Sequence, residues 1–470
     1  MSLSDKNCYL RPTKKIVRSY CVGFPRPKGI LFVYPRRHFM SCWSGFPSDF
    51  PRTCFIDFAA DIFKTFPLPE LPDFIYLKQD LFCYSSARFR ISSLCNFVFF
   101  LGLEEEQERL DAFHQIADFF FELNCPLKMT IASSAFNAYL LHSNQGRKSR
   151  TCSNAAISRK IDRKGLFTPH SLHFGGCHQN IYKYDVNSAY PAQMAKAGLP
   201  MAFGGCGRKD LKYLRRNIKD LWVAAEVFVK DPPVAYPAHT GGSIMLCGDV
   251  LAHEVKRNNI ERVQEKFLFN RGPACPIIPA WYQKRFDSVG ITKKLWKMVL
   301  NSIFGQFAKR SHQTQVIHRS QSRFNEVVTY LRPGESYRTV NLLDFSVVSR
   351  CEGTFHRSSA PWLAMGVVQN HLQSFVPSIP PGSIYADTDS FFTLDPDAPV
   401  KVSDNLGDWK KEAVPELRVY GLKNYSMGEH HVLAGVKRGD RVVITPEGLD
   451  ISGKRKYNGT EEIFQQKRFF

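Results

Sequence analysis

Ser383-Ile384-Tyr385-Ala386-Asp387-Thr388-Asp389-Ser390-Phe391-Phe392-Thr393 places two carboxylates two residues apart, between two short apolar runs. Alternation about a tight Asp-Thr-Asp turn predicts a β-hairpin whose tip presents acid where a sheet meets solvent. Two carboxylates this close repel each other unless a cation neutralises them. Mg²⁺ suits the task, because it takes oxygen ligands and leaves room for substrate phosphates. An isolated acidic hairpin tip is more often plain solvated surface, so the remainder of the chain has to decide between the two.

Two upstream segments tip the balance. Ile181-Tyr182-Lys183-Tyr184-Asp185-Val186-Asn187-Ser188-Ala189-Tyr190-Pro191 puts a third acid at the end of a short strand. Pro191 then admits a helix over residues 192–197, as proline does in a first helical turn. Lys293-Lys294-Leu295-Trp296-Lys297-Met298-Val299-Leu300-Asn301-Ser302-Ile303-Phe304-Gly305 reads as a second helix. Lys293, Lys297, Asn301 and Phe304 share one of its faces. Two cations, an amide and an aromatic ring on one face suit a nucleoside triphosphate. Asp185 and Asp387 are far apart in the chain, so only folding can bring them together.

Taken in this order, the three segments resemble motifs A, B and C of family B DNA polymerases. They look most like the protein-primed branch found in phages, adenoviruses and linear plasmids. Phe304 departs from the tyrosine of motif B. His173-Phe174-Gly175-Gly176 resembles the branch's Tyr-x-Gly-Gly linker, with histidine in the tyrosine position, and Lys423-Asn424-Tyr425 resembles its Lys-x-Tyr motif. The resemblance covers residues 170 to 440 well and the N-terminal third only thinly.

The resemblance implies an α+β fold shaped as a right hand: an antiparallel palm sheet, helical fingers, a small thumb and an N-terminal exonuclease-remnant region. It implies a DNA-directed DNA polymerase that adds dNTPs to a primer hydroxyl or a protein hydroxyl. The catalytic acids are then Asp185, Asp387 and Asp389. Asp185, Asp387 and the Val186 carbonyl hold two Mg²⁺ ions, with Mn²⁺ as a substitute. Tyr190, Lys293, Lys297, Asn301 and Phe304 bind the dNTP, Tyr190 as a steric gate against the 2′-hydroxyl that marks RNA. Gly175, Gly176, Thr388, Lys423 and Tyr425 contact DNA. Implied partners are primer-template DNA, dNTPs and a terminal protein primer, with the polymerase itself a monomer.

Position along the chain divides it into an inactive exonuclease remnant (1–82), a helical region with a basic linker (83–170) and palm with motif A (171–206). A first insertion (207–280), fingers with motif B (281–310) and a second insertion (311–357) follow. Palm with motif C (358–410) and thumb (411–470) complete the order. Within the remnant, Tyr76 and Asp80 resemble the third exonuclease motif on a last helix, but no Asp-x-Glu pair precedes them. Leu110 to Leu123 has apolar residues at helical spacing. The basic stretch 146–166 is a linker or a DNA-contacting strip. Trp222 to Val229 reads as a strand, Cys247 to Asn258 as a loop entering a helix, and 311–357 as strand-prone with a turn at Pro333-Gly334.

Composition agrees. The chain has 470 residues, a formal charge of +20 and 44% hydrophobic residues, which points to a packed protein with a polyanionic partner. No apolar run reaches the roughly 20 residues that span a bilayer, and no membrane partner is expected. The thirteen cysteines include no Cys-x-x-Cys pair and suit reduced thiols inside a cell, whether cytoplasm, nucleus or mitochondrion. Two other classes compete. An RNA-templated polymerase also uses paired acids, but usually adjacent ones, whereas Thr388 separates Asp387 from Asp389. A catalytically weak DNA-binding relative needs no intact acid set, and here all three acids and Lys297 are present.

Overall fold

The computed structural model describes short strands within residues 20–93, then residues 95–143, 171–318, 336–355 and 360–469. Within these ranges positions 104, 126, 129, 174–175, 207–209, 343–344, 434–435, 437–440, 446–447 and 458–459 are excepted. The chain forms two compact units, one from residues 1–159 and 275–361, the other from 160–274 and 362–470.

The first unit opens with β1 (Tyr20–Cys21), β2 (Ile30–Tyr34), β3 (Thr53–Ile56), β4 (Phe74–Lys78), β5 (Leu81–Tyr84) and β6 (Phe89–Ser93), in the sheet order β1-β2-β3-β6-β5-β4. Two expectations fail here. Tyr76 lies on strand β4, paired with Phe82, and not on a helix. Residues 83–84 and 89–93, expected to be helical, likewise belong to strands β5 and β6. Aromatic and branched residues alternate through Phe74-Ile75-Tyr76-Leu77 and favour a pleated strand over a helix. Asp80, the basic stretch 146–166 and Gly175 lie outside the described residues. Helices α1 (Cys95–Val98), α2 (Glu106–Glu122) and α3 (Ile131–His142) follow. The Thr130 side chain caps α3 by accepting from the Ser133 backbone N–H.

Entering the second unit, the chain forms β7 (Ser171–His173) and β8 (Gly176–Val186), then helix α4 (Ala189–Ala195). This helix begins three residues before the expected position, because Ser188 turns the chain in the left-handed region (φ 52°) and Pro191 falls within the first turn. Next come β9 (Pro200–Cys206), α5 (Leu211–Asp220), β10 (Trp222–Val229), β11 (Ser243–Cys247), α6 (Gly248–Lys256) and β12 (Ile260–Arg271). Strand β10 has the bounds read from its apolar run. The loop expected after Cys247 is absent, since α6 starts at the next residue. The four strands form an antiparallel sheet ordered β11-β10-β12-β9, so β9 belongs with the segment after it and not with motif A.

Back in the first unit, α7 (Ile277–Asp287) and α8 (Gly290–Phe307) lead to β13 (Arg310–His318), β14 (Ser336–Leu342) and β15 (Phe345–Phe355). The three strands form a sheet ordered β13-β15-β14, as strand-prone composition anticipates; Pro333 and Gly334 lie outside the described residues. Helix α8 is the hub of the unit's helices. Leu295, Trp296, Val299, Leu300, Ile303 and Phe307 are buried at helical spacing. Trp296 meets Phe119 edge-on at 4.6 Å, and Phe307 meets Phe136 and Tyr139 at 5.4 and 5.7 Å. Each such side chain contributes about 1.5–3 kcal/mol of burial.

The second unit resumes with α9 (Pro361–Ser378), β16 (Tyr385–Asp387), β17 (Ser390–Thr393), β18 (Trp409–Gly421), β19 (Asn424–Met427) and β20 (His430–Leu433). With β7 and β8 these make a seven-stranded antiparallel sheet, ordered β20-β19-β18-β8-β17-β16-β7. The boundary expected at residue 411 therefore cuts through β18, and the sheet continues to Leu433. A separate three-stranded sheet closes the chain: β21 (Arg441–Thr445), β22 (Gly448–Tyr457) and β23 (Thr460–Phe469).

Both faces of the seven-stranded sheet carry core. One face buries Tyr184, Val186, Ala386, Phe391 and Trp409 against Phe375 of α9. The other buries Ile181, Tyr385, Phe392, Val414 and Leu417. Period-two alternation puts Lys183 and Asp185 on the second face with Ile181. That face is therefore apolar at one end and acidic at the other.

Gly248 begins α6 with φ 53°, and a Cβ there would stand 2.4 Å from the Trp222 indole nitrogen. Backbone strain and overpacking act together in this place. Gly248→Ala is expected to destabilise the second unit by about 2–3 kcal/mol, read as a lowered midpoint in urea. An unchanged midpoint would show that the indole can move aside.

Candidate active site

Strand register assembles the acids. Asp387 pairs with Ser390 across the hairpin, and Ser390 pairs with Asp185 of β8, which pairs on its other side with Lys410. Directly opposed residues on antiparallel strands point to the same face. Asp387, Ser390, Asp185 and Lys410 thus form one row across four strands. One step along lies the row Tyr385, Phe392, Lys183 and Glu412.

The hairpin tip is a two-residue turn of Thr388 and Asp389, with Thr388 in the left-handed region (φ 61°). The Asp389 N–H donates to the Asp387 carbonyl at 2.7 Å, and the Val186 N–H donates to the Asp389 carbonyl at 2.9 Å. From α9 below, His371 hydrogen-bonds the Thr388 carbonyl at 2.7 Å through Nε2. A carbonyl only accepts, so Nε2 carries the proton. Burial lowers the His371 pKa from 6.5, and the ring is neutral. It stacks on Phe375 at 5.2 Å, and Phe375 stacks on Trp409 at 5.8 Å. The turn thereby rests on the core.

Each outer acid has a cation against it. Lys183 Nζ lies 3.4 Å from Asp185 Oδ2, and Lys423 Nζ lies 3.3 Å from Asp387 Oδ2. Asp387 also accepts from the Thr388 hydroxyl at 2.8 Å and the Tyr385 hydroxyl at 3.3 Å. The Lys423 N–H in turn donates to that Tyr385 oxygen at 2.9 Å, which fixes the turn between β18 and β19 beside the acids. Tyr425 closes the cluster, with its ring 5.1 Å from Tyr385 and 5.5 Å from Phe392.

Titration behaviour reports the crowding. Burial first, then the charges of Asp185 and Asp387, push the Asp389 carboxyl from its ordinary 3.8 up to about 6, against a smaller opposing pull from Lys183. Burial, then Asp389 and Asp387, raise the Tyr190 phenol to about 12, and burial, then Asp387, Asp185 and Asp389, raise that of Tyr425 to about 12. Tyr190, in the first turn of α4, is half-buried and meets His371 edge-on at 5.7 Å.

The expected site residues therefore divide by unit. Asp185, Val186, Asp387, Thr388, Asp389, Lys423 and Tyr425 gather on the strands and turns of one sheet of the second unit, and Tyr190 stands on α4, just after β8. Gly176 opens β8 with φ 92° and is exposed. Lys293, Lys297, Asn301 and Phe304 lie on α8 of the first unit. The first three are exposed and Phe304 is half-buried, all on the face away from the helix core. Lys183, Tyr385 and His371 are additions. Lys183 was legible as a lysine two residues before Asp185 in a strand. His371 had no sequence signal, because its role depends on how α9 packs under the turn. Among the described residues no three His, Cys, Asp or Glu side chains form a ready-made metal-ligand set, and no helix is long and apolar enough to cross a membrane.

No protein-family model and no curated protein sequence matches the chain. Solved structures do. Phi29 DNA polymerase complexed with primer-template DNA and incoming nucleotide substrates aligns with a TM-score of 0.56 at 13% identity, covering 89% of this chain and 90% of that one. Phi29 DNA polymerase complexed with single-stranded DNA aligns with a TM-score of 0.52 at 14% identity, over 88% and 82% of the two chains. Its orthorhombic crystal form gives a TM-score of 0.51 at 14% identity, over 88% and 83%. The α+β fold is thus similar to that of phi29-type polymerases over most of the chain.

A raised carboxyl pKa means that the folded state binds the proton more tightly than the unfolded state. Asp389 therefore subtracts stability above pH 6, and this loss fades as pH falls from about 6 toward 3.8. Asp389→Asn, in chelator, is expected to stabilise the protein at pH 8 by at most about 3 kcal/mol. The gain should shrink to nothing near pH 4. A gain that does not vary with pH would remove the electrostatic explanation.

Proposed function

We propose that this chain is a template-directed DNA polymerase, adding dNTPs to a primer 3′-hydroxyl or to a hydroxyl of a terminal protein by two-metal phosphoryl transfer. The observation that carries this reading is the row Asp387, Ser390, Asp185 on one sheet face, with Asp389 at the turn beside it. The phi29-like fold supplies its context. In right-hand terms the seven-stranded sheet is the palm, α8 belongs to the fingers and the closing sheet is the thumb.

The donor set suits Mg²⁺ or Mn²⁺. It is all oxygen, its carboxylates repel one another, and ammonium groups already stand where positive charge is wanted. Asp185 and Asp387, with the Val186 carbonyl, would hold two Mg²⁺ ions, which when bound neutralise the triphosphate and lower the pKa of the attacking hydroxyl. Asp389, its carboxyl pushed up to about 6 chiefly by burial, tunes the site's charge. Lys423 and Tyr425 border the acids where a primer terminus would lie, with Thr388, Gly175 and Gly176 as further DNA contacts. Lys293 and Lys297 offer point charges to phosphates, Asn301 an amide to the base pair or sugar, and Phe304 a ring without the hydroxyl of tyrosine. Little covalent work falls to these side chains; positioning and charge neutralisation dominate phosphoryl transfer.

Asp185→Asn or Asp387→Asn is expected to lower primer extension by several orders of magnitude while DNA binding persists. Near-normal extension by either variant would overturn the assignment.

Tyr190 presents a neutral, half-buried ring beside His371, held by the same helix start that follows Asp185. Tyr190→Ala is expected to raise the efficiency of ribonucleotide relative to deoxyribonucleotide incorporation for one matched pair. An unchanged ratio would mean that another side chain excludes the 2′-hydroxyl.

A further inference from the structure

Helix α5 lies outside the acid row, and the proposed reaction does not use it. Its sequence, Leu211-Lys212-Tyr213-Leu214-Arg215-Arg216-Asn217-Ile218-Lys219-Asp220, is sharply two-sided. Leu214 is fully buried. Asn217 accepts from Lys266 Nζ at 2.8 Å, and the Ile218 carbonyl accepts from Arg271 at 3.4 Å. These contacts fix which face of the helix meets the sheet β11-β10-β12-β9. Lys212, Arg215, Arg216 and Lys219 are left exposed on the opposite face, with Tyr213 beside them.

Among the described residues none of these four cations has a carboxylate within ion-pair distance. Arg215 donates to Asn258, a neutral amide, at 2.9 Å. Two acids flank the helix: Asp210 accepts from the Lys212 backbone N–H as the N-cap, and exposed Asp220 ends the helix beside Lys219, so four cations face two carboxylates that stand at its ends. Helix α6, which ends just before Asn258, adds exposed Lys256 to the same neighbourhood. A helix held rigidly on its inner side, with concentrated and incompletely neutralised positive charge on its outer side, stores repulsion that a polyanion relieves. Lys212 to Lys219 spans about 10 Å along the helix axis. Duplex DNA presents one charge per roughly 1.7 Å of its own axis, so several phosphates fall within reach.

We propose that the outer face of α5 is a second nucleic-acid contact surface, which binds the phosphodiester backbone without reading sequence. It rests on the reading of the chain as a nucleic-acid enzyme, but not on the acid site. Its function would be to hold DNA while the acids act elsewhere on the same strand or duplex.

The test compares the full-length protein with the variant Lys212→Gln/Arg215→Gln/Arg216→Gln/Lys219→Gln. Binding of a labelled 30-base-pair DNA duplex and a labelled 30-nucleotide single strand is measured by anisotropy from 50 to 400 mM salt. Each lost phosphate contact removes about 0.9 from the log–log salt slope on duplex and about 0.7 on single strands. The expected result is a slope shallower by about 3 units on the form of DNA that this face holds, with weaker binding at every salt concentration. Primer extension at low salt and saturating DNA should be unchanged. Loss confined to the duplex, or to the single strand, assigns the proposal to that form. Unchanged slope and affinity on both overturn it. Two double variants, Lys212→Gln/Lys219→Gln and Arg215→Gln/Arg216→Gln, give the same readout at about half the size should the quadruple variant fold poorly. Because the readout is binding, it remains decisive even if Asp185→Asn shows that the acids are not catalytic.

Discussion

Repulsion among Asp185, Asp387 and Asp389 is the constraint that shapes their surroundings. Asp387 and Asp185 stand two strand spacings apart, about 10 Å, at which two unit charges in an effective dielectric near 20 oppose each other by roughly 2 kcal/mol. A hairpin alone would relieve this by fraying. Here the tip is tied at three points: Asp389 N–H to Asp387, Val186 N–H to Asp389, and His371 to Thr388. Core on both faces of β8 and β17 then holds the strands in register. The repulsion is stored and not relaxed, and it adds to burial, the larger cause, in raising the Asp389 pKa.

Lys183 and Lys423 share in holding that charge, but they do so in different ways. Lys183 is fixed by strand alternation on the same face as Asp185 and is largely covered. Lys423 sits at a tight turn with φ 56°, half-exposed, and its backbone is tied to Tyr385. An exposed ammonium at a turn can be drawn to an arriving phosphate more easily than one seated in a strand. The two cations therefore differ in how readily they release their acids.

The local features of this arrangement were legible in the sequence. The acid hairpin needs only alternation and a tight turn. Helix α8 announces itself through the spacing of Lys293, Lys297 and Asn301 on one face, and β10 through its apolar run. What was not legible depends on distant partners. Nothing near His371 indicates that it supports a turn seventeen residues later. One weak motif decides the reading of Tyr76 and Asp80, and residues from 83 onward read as helical, so the alternation that makes Phe74–Lys78, Leu81–Tyr84 and Phe89–Ser93 strands goes unused. Strand β18 was cut at residue 411 because Pro415 and three consecutive charged residues obscure its alternation, whereas pairing with β8 along its length keeps it in the sheet.

The choice of a neutral histidine as the anchor has its own logic. Thr388 offers a carbonyl, and either a neutral or a charged imidazole can donate to it through Nε2. A charged ring beneath three carboxylates would gain attraction, yet burial under the sheet lowers its pKa, so desolvation wins. The bond to Thr388 needs only the Nε2 proton, which both forms possess. The position of the acid tip is consequently insensitive to the charge of its support. Charge at this site can then be varied by carboxylates, ammonium groups and arriving phosphates, while the geometry that presents them stays fixed from below.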